Sequence, residues 1–290
     1  MKITNHPIIY NKSAAVPTFT EYRDFVMDEN NEKLLYRMDT CSFRHDLCFD
    51  DVVNFLECKY PEKDNVEFWV HACSIGEETH SFAAQLDSSL GEGASKYYPI
   101  HSRDINSNCI NKAKNPLYKF RSYEFSHANF QLRNGVDAYY DLVEKGYCYE
   151  LRKPKDKIRA VVEFKQADIF EDYKNIRPHR AVLAARNFWQ YLNTDSAILL
   201  AYKLAKHFDN TCVLIIGDCD REAGIPAILE KFNFKESSSV SNVFEKISNS
   251  LPGLKDLGLF YPIRRFLQAY EYEQLSVLSK CVYNISKFFR

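Results

Sequence analysis

Short apolar runs alternate with amphipathic helical patterns along the middle of the chain. The runs are typical of buried strands and occupy residues 66–73, 97–103, 159–164, 180–185 and 211–216. Apolar residues recur at helical spacing over residues 77–90, 107–114 and 195–208. This alternation predicts an α/β fold with a doubly wound sheet that is mostly parallel and covered by helices on both faces.

Polar segments with their own helical patterns flank this unit. A helix is predicted from Phe49 to Leu56, with Asp46 as a candidate N-cap, and a long helix is predicted after Pro262. The stretch between residues 115 and 155 is irregular and rich in aromatic and charged residues. We therefore divide the chain into a helical N-terminal cap (1–64), a doubly wound domain (65–250) with a small antiparallel insertion at about 120–157, and a helical C-terminal extension (251–290).

Composition and charge exclude several classes of protein. Of the 290 residues, 46% are hydrophobic and 27% are charged, which is typical of a folded globular protein. The formal net charge is −1, and no basic stripe interleaved with aromatic residues appears before the basic, aromatic tail at residues 251–290, so a nucleic-acid partner is not expected. No apolar run approaches the roughly 20 residues needed to cross a bilayer, and the first residues lack the apolar core of a secretory signal. We expect a soluble cytoplasmic protein without membrane insertion, and the sequence does not indicate its oligomeric state.

The cysteines do not indicate a metal site. There are 9 of them, an odd number, and no two are spaced as C-x-x-C. Cys41, His45 and Cys48 lie close together in sequence, but a fourth ligand with suitable spacing is missing. We expect free thiols, as in a reducing compartment.

The first strand end suggests a ligand that carries an amino group. In a doubly wound sheet, ligands bind outside the carboxyl ends of the strands. Gly76 follows the first strand and would let the backbone come close to a ligand. Glu77 and Glu78 would repel a phosphate but can accept hydrogen bonds from an amine. Alternatively, these glutamates only favour the helix dipole in a first helical turn.

Polar residues also follow the next strands. Asp104 ends the second strand, where a carboxylate can accept both hydroxyls of a ribose, although such a residue is often only a helix cap. Asp168 ends the third strand and Asn187 the fourth. These strand ends together favour a nucleoside that bears an amino acid, and S-adenosylmethionine fits that description.

Motifs in the same order resemble those of the CheR-type methyltransferases, which use S-adenosylmethionine to methylate glutamates of chemotaxis receptors. The similar segments are Thr40–Arg44 (family T-x-F-F-R), Ala72–Thr79 (A-x-S-T-G-E-E-P), Ser102–Asn106 (S-D-I-D), Ala113–Tyr118 (A-x-x-G-x-Y), Val162–Ile169 (V-x-F-x-x-x-N-L) and Ala185–Leu192 (C-R-N-V-x-I-Y-F). Each motif alone is weak, but their order over about residues 38–246 is specific.

The resemblance implies a class I methyltransferase (Rossmann-like) fold, with S-adenosylmethionine as cofactor and S-adenosylhomocysteine as product. By this resemblance, Gly76 and Glu78 hold the methionine end and Asp104 the ribose. The residues implied to bind the cofactor are Thr40, Arg44, Cys73, Gly76, Glu78, Asp104, Ile105, Asp168, Ile169, Asn187 and Phe188. Arg44 and Tyr191 are implied to face the methyl-transfer site as the catalytic residues.

Departures from the family pattern affect the substrate more than the cofactor. Thr79 replaces a proline, Met38 and Asp168 each replace an asparagine, and the cap is acidic where the chemotaxis enzymes carry a basic helix. We expect methyl transfer to a protein carboxylate, with a protein substrate as partner. Two alternatives stay open: a non-catalytic S-adenosylmethionine-binding or scaffold protein, and a small-molecule methyltransferase that uses the aromatic stretch from Tyr139 to Tyr149 as acceptor wall.

Overall fold

The computed structural model describes residues 40–61 and 65–253, together with residues 26–27, 33–34, 264, 267, 270 and 271. The strands are β1 (Val26–Met27), β2 (Lys33–Leu34), β3 (Glu67–His71), β4 (Ile100–Asp104), β5 (Tyr118–Arg121), β6 (Tyr140–Lys145), β7 (Tyr149–Pro154), β8 (Val162–Gln166), β9 (Ala181–Ala185), β10 (Val213–Ile215), β11 (Phe234–Glu236) and β12 (Val243–Lys246). The helices are α1 (Phe49–Lys59), α2 (Glu77–Leu90), α3 (Ser107–Lys114), α4 (Ser122–Gln131), α5 (Asp156–Arg159), α6 (Ile169–Asp172), α7 (Thr194–His207), α8 (Asp218–Glu222) and α9 (Ile225–Glu230).

The main sheet has seven strands in the spatial order β11-β12-β10-β9-β3-β4-β8. Strands β10, β9, β3, β4 and β8 are parallel to one another, whereas β12 is antiparallel to both of its neighbours. The predicted doubly wound, mostly parallel sheet is confirmed. The apolar runs do not predict β11 and β12, because these short strands contain too few apolar residues to form a run.

The strand order reverses beside β3, and this reversal positions the site. The chain passes from β3 to β4 on one side, while β9 pairs with β3 on the other side, with Val70 opposite Ala184. The loops that follow β3, β4 and β9 therefore meet at one edge of the sheet. Doubly wound sheets bind their ligands at such a reversal.

Alternate residues of β3 show how the two faces of the sheet are covered. The fully buried Phe68 packs against Phe82 of α2, with ring centroids 5.1 Å apart, and Phe82 in turn packs against Phe49 of α1 at 4.7 Å. Trp69 belongs to the opposite layer, which α6 and α7 cover. Burial on both faces explains why β3 reads as a continuous apolar run rather than as an alternating pattern.

The N-terminal segment differs from the prediction in two respects. Helix α1 begins at Phe49, with Cys48 as an N-cap whose side chain makes no capping bond, so Asp46 is not the cap. The carboxylate of Asp46 accepts instead from Arg186, because a buried guanidinium is the stronger partner. In addition, the segment that is expected to be helical contains a short antiparallel pair, β1 and β2. Residues 1–25, 28–32, 35–39 and 62–64 lie outside the described part of the chain.

The region between β4 and β9 contains an antiparallel insertion, as expected. Strands β5, β7 and β6 form a three-stranded antiparallel sheet in that order. Helix α4, between β5 and β6, is not predicted, because it buries only Glu124, Ala128 and Gln131 and shows no apolar stripe. The strand expected at residues 159–164 starts later, at Val162, because α5 extends to Arg159.

The predicted C-terminal extension lies mostly outside the described residues. Residues 264, 267, 270 and 271 are helical, and Leu267 is fully buried in the α7 layer. The hydroxyl of Tyr202 in α7 donates to the carboxylate of Glu271, and Nζ of Lys203 lies 5.1 Å from the ring centroid of Tyr270. These contacts attach the described part of the extension to α7. The three-segment division of the chain itself stays a prediction.

Two glycines at helix starts allow a matched test of the loop after β3. Gly76 and Gly224 both precede helices with left-handed φ values, +87° and +80°. A Cβ at Gly76 would lie 2.7 Å from Cζ of Phe164, whereas a Cβ at Gly224 would meet nothing within 4 Å.

We expect Gly224→Ala to lower the free energy of unfolding by about 1–2 kcal/mol, the cost of a left-handed alanine. Gly76→Ala should lower it by about 2–5 kcal/mol, because overpacking against Phe164 adds to the same backbone cost. Urea denaturation of both variants measures the difference. Equal losses would show that the Phe164 ring moves aside without cost.

Candidate active site

A cavity of about 260 Å³ opens at the sheet edge where the loops after β3, β4 and β9 meet. The segment before α1, helices α3, α6 and α8 and the loop after β8 complete its wall. The lining residues are Thr40, Arg44, His71, Ala72, Cys73, Ser74, Glu78, Asp104, Ile105, Cys109, Ala167, Ile169, Arg186, Asn187, Phe188, Gln190, Tyr191 and Cys219.

The loop after β3 has a strained backbone. Ala72 and Ser74 adopt positive φ values of 57° and 50°, and Gly76 follows with +87°. A left-handed conformation costs a non-glycine residue roughly 1–2 kcal/mol, and such strain concentrates at functional sites. Hydrogen bonds hold the loop in place, from Cys73 N to Arg103 O at 3.0 Å and from Gly76 N to Cys73 O at 2.9 Å. The strained turn thereby brings the backbone onto the cavity wall.

Asp104 presents an oriented carboxylate to the cavity. It is the last residue of β4 and only 7% exposed. Its Oδ2 accepts from Ser74 N and its Oδ1 from Asn106 N, both at 2.8 Å. These two bonds fix the plane of the carboxylate, which has about four acceptor positions in all. The side chain is therefore suited to accept hydroxyl groups of a ligand.

A buried guanidinium joins the sheet edge to α2 and to the segment before α1. Arg186 donates from Nη1 to Oε2 of Glu78 at 2.8 Å and from Nη2 to Oδ1 of Asp46 at 2.6 Å. Burial raises the pKa of Glu78, against the attraction of Arg186. Burial also acts against ionisation of Asp46, but Arg186, the Asn187 amide and the Asp218 N–H together hold the pKa of this carboxyl below its ordinary value. A guanidinium suits this place because its planar fork binds two carboxylates at once.

Asn187 occupies a tight turn after β9. Its φ is +55°, its Nδ2 donates to Oδ2 of Asp46 at 3.2 Å, and its Oδ1 accepts from Cys219 N at 3.3 Å. A Cβ at Gly217 would lie 2.1 Å from Oδ1 of Asn187, so only glycine fits beside this side chain.

Asp220 fixes the backbone of the same turn through hydrogen bonds to its N–H groups. This fully buried carboxylate of α8 accepts from Asn187 N at 2.6 Å, from Gly217 N at 3.0 Å and from Gln190 N at 3.2 Å. Asp220 is not among the site residues predicted from the sequence, although an acidic residue just after the predicted strand 211–216 is the same kind of signal that singles out Asp104. Without Asp220, the backbone N–H groups of Asn187, Gly217 and Gln190 would lose this acceptor.

Arg44 and Tyr191 line the same cavity, from the segment before α1 and from the turn after β9. Burial acts to lower the pKa of Arg44, but Cys41, Glu78 and Asp46 outweigh burial and raise it, so the guanidinium stays charged. In the sequence, only the family resemblance relates these two residues to each other. Their roles in catalysis stay predictions.

Two of the predicted cofactor-binding residues do not line the cavity. Gly76 packs behind the loop, against Phe164. Asp168 lies beyond the end of β8 and is the N-cap of α6, where it accepts from Phe170 N at 2.9 Å. The other predicted site residues all line the cavity, and their roles as ligands stay predictions.

Eight of the lining residues are not among the site residues predicted from the sequence, although several of them lie inside the recognised motifs. They are His71, Ala72, Ser74, Cys109, Ala167, Arg186, Gln190 and Cys219. Arg186 lies inside a recognised motif, so that motif could have singled it out. His71 lies within an apolar strand run, where the hydrophobic pattern conceals a polar residue.

The described residues show neither a metal centre nor a membrane span. They contain no group of three or more His, Cys, Asp or Glu side chains that could hold a metal ion. Their helices are all too short or too polar to cross a bilayer. The cysteines within the described ranges are free thiols.

A family model, the S-adenosylmethionine-binding domain of CheR methyltransferases, matches residues 38–236. The chain belongs to the CheR methyltransferase family. The family match extends from just before the cavity residue Thr40 to the end of β11, so it covers every residue that lines the cavity. It confirms the resemblance seen in the sequence, and with it S-adenosylmethionine as the cofactor and the class I methyltransferase fold.

Curated relatives of this CheR-family chain are distant. It is 23% identical to a chemotaxis protein methyltransferase of Listeria innocua and 24% identical to one of Listeria monocytogenes, over 159 residues in each case. Each alignment covers 55% of this chain and 55% of the relative. The chain thus spans about half the length of the curated relatives it matches.

Similar solved structures include other methyltransferases. Magnesium protoporphyrin IX methyltransferase of Synechocystis, with bound S-adenosylmethionine, is 15% identical, with coverage of 68% of this chain and 76% of that one and a TM-score of 0.34. A TehB-like methyltransferase of Corynebacterium glutamicum is 9% identical, with coverage of 68% and 87% and a TM-score of 0.35.

Glu77 is a buried carboxyl group beside the site. It begins α2, is 5% exposed, and its Oε2 has no hydrogen-bond partner among the described residues. Burial raises the pKa of Glu77 to about 8, and repulsion from Glu124 adds to this, while Arg44 and a hydrogen bond with Thr40 oppose it. The carboxyl group is therefore protonated in the folded protein at neutral pH.

This protonated group makes stability fall as pH rises. Below about pH 4.5 the folded and unfolded states both carry the proton, and between pH 4.5 and 8 only the folded state keeps it. We expect the free energy of unfolding to fall by on the order of 4 kcal/mol across this range, and Glu77→Gln to remove that loss. Urea denaturation from pH 5 to 8 measures it, with the exposed Glu92→Gln as control. An unchanged pH slope in Glu77→Gln would exclude this group as its source.

Proposed function

We propose that this CheR-family protein transfers the methyl group of S-adenosylmethionine to a carboxylate of a protein, by glutamate O-methylation. The observation that carries the proposal is the set of residues that line one cavity. Asp104 and the strained loop after β3 line it together with Arg44 and Tyr191, so groups suited to the cofactor and groups suited to a carboxylate face the same space.

The residues present fit the cofactor. Asp104, fixed by two backbone N–H groups, would take the ribose hydroxyls. Ile105 and Ile169 supply apolar wall for the base, and Glu78 lies where the amino group of the methionine part would find an acceptor. Arg186 keeps Glu78 in place through its 2.8 Å ion pair.

For this reaction the protein mainly has to position the two reactants. When bound, the cofactor supplies an electrophilic methyl group on a sulfonium. A carboxylate is already nucleophilic at neutral pH, so no side chain has to remove a proton. Arg44 would pair with the acceptor carboxylate and Tyr191 would donate to it, which fixes its direction and replaces its water. Holding reactants in line is worth several orders of magnitude in rate.

The partner in this proposal is a protein, and the location is the cytoplasm. The two Listeria relatives are named chemotaxis protein methyltransferases, which supports a receptor-like protein substrate. Free thiols at the described cysteines agree with a reducing compartment.

The alternative of a small-molecule methyltransferase is not supported by the aromatic stretch that was to form its acceptor wall. Tyr139 and Tyr140 are each only 1% exposed and Tyr147 points into solvent, and none of them lines the cavity. The non-catalytic alternative is decided by the transfer experiment below.

Cofactor binding should depend on Asp104. We expect Asp104→Ala to weaken binding of S-adenosylhomocysteine by on the order of 2–4 kcal/mol, because two charge-assisted hydrogen bonds are lost. Asp168→Ala is the matched control, since it removes a helix cap outside the cavity and should lower stability by about 1 kcal/mol with little effect on affinity. Calorimetric titration measures both variants. An affinity of Asp104→Ala within twofold of wild type would remove this residue from the site.

Methyl transfer should depend on Arg44 and Tyr191 more than cofactor binding does. We expect Arg44→Ala to slow single-turnover transfer of labelled methyl to cellular proteins by about 10²-fold, because the acceptor carboxylate loses its partner, and Tyr191→Phe to slow it less. The exposed Tyr147→Phe serves as control. Tight cofactor binding by wild type without transfer to any acceptor would favour the non-catalytic alternative. Equal rates in all variants would exclude both residues from the acceptor site.

A further inference from the structure

A buried polar cluster borders the cavity beside Asp104. His71, the last residue of β3, is 2% exposed and lines the cavity. Its Nε2 lies 3.1 Å from Oδ2 of Asp172 in α6, and Nε of Arg103 lies 3.7 Å from the same oxygen. Arg103 also stacks on Trp69, with its guanidinium carbon 4.9 Å from the ring centroid. Nothing in the motifs of the sequence accounts for this cluster.

The cluster is incompletely satisfied by the protein itself. Nε2 of His71, Nε of Arg103 and Oδ2 of Asp172 are buried, and none makes a well-aligned hydrogen bond to the described residues. The 3.1 Å distance between Nε2 of His71 and Oδ2 of Asp172 is short enough for a hydrogen bond. The angle at the donor is therefore what departs from the ideal geometry. Buried polar atoms in this condition are rare and costly. Of these three side chains His71 lines the cavity, so a ligand there can reach the cluster through the imidazole ring.

The ionisation of the cluster defines what that ligand has to provide. Burial lowers the pKa of His71, and Asp172 opposes this only in part, so the ring is neutral at neutral pH. Because the Asp172 carboxylate can only accept, the ring proton lies on Nε2 and Nδ1 is an acceptor. Within the described part of the chain, no donor bonds to Nδ1. The matching ligand group is a hydrogen-bond donor.

We propose that Nδ1 of His71 accepts a hydrogen bond from the exocyclic amine of the cofactor's adenine, with Asp172 as the positioning residue that holds the ring. The inference rests on the proposed function. The donors of an adenosine are its two ribose hydroxyls, which Asp104 would take, and this amine. Ala167 and Ile169 line the same cavity as His71 and would offer apolar contact to the adenine ring.

The position of Asp168 supports this assignment. The family resemblance implies that Asp168 flanks the adenine, but its carboxylate caps α6 and does not line the cavity. His71 lines the cavity and offers an acceptor in its place.

The test compares two ligands that differ at this amine, S-adenosylhomocysteine and S-inosylhomocysteine, by calorimetry on the full chain. Wild type should prefer the adenosine compound. His71→Ala and His71→Leu both remove the acceptor and should each reduce that preference by about three- to tenfold, the equivalent of one hydrogen bond. His71→Asn should retain most of it, because the amide attaches an acceptor at the same branch point as Nδ1. If one variant does not fold, the others still decide.

His101→Ala is the matched control. His101 lies on the neighbouring strand beside Trp69, at a ring distance of 4.5 Å, and its Nδ1 is 2.9 Å from Oε2 of Glu163, but it does not line the cavity. Its loss should leave the preference unchanged. A wild-type preference in His71→Ala and His71→Leu, even with both affinities lowered equally, would overturn the inference and leave His71 a packing residue.

The outcomes separate the inference from the proposed function. Failure of wild type to bind either compound would overturn both. Discrimination that depends on His71, in a protein that transfers no methyl group, would overturn the proposed methyl transfer and support the adenine contact.

Discussion

The guanidinium of Arg186 has no exposed side-chain surface, and a charge in that position is stable only where carboxylates surround it. Glu78 at the start of α2 and Asp46 ahead of α1 meet this requirement, so one cation joins three distant parts of the chain. The rest of the site depends on this junction. It holds the segment that carries Thr40 and Arg44 against the sheet edge and closes the cavity from that side.

Local patterns in the sequence predicted the elements that position the site. The bounds of α2 and α3 match the prediction, because apolar spacing and the flanking strands define them locally. Asp104 is correctly predicted at the carboxyl end of β4, because the apolar run that precedes it defines the strand locally. The parallel strands followed from their apolar runs, since burial on both faces leaves a continuous run.

What the sequence could not predict depends on contacts between distant residues or on polar groups inside apolar runs. The sequence around Asp46 predicts a helix cap, because no local pattern indicates a partner 140 positions away. The position of Asp168 predicts a strand-end ligand, although a capping role fits the same residue type. The apolar run around His71 predicts only a strand, and the pairing of His71 with Asp172 depends on α6 packing onto the sheet.

The long sequence separation between Asp46 and its partners also affects folding during synthesis. Its backbone carbonyl accepts from Nδ2 of Asn242 at 3.3 Å, and its carboxylate meets Arg186 and the N–H of Asp218. A nascent chain emerging from the ribosome therefore carries Asp46 without its partners until most of the sheet has been synthesised. Contacts of such long sequence separation form late in folding. During synthesis, the side of the cavity that holds Thr40 and Arg44 therefore cannot be completed until these partners have emerged.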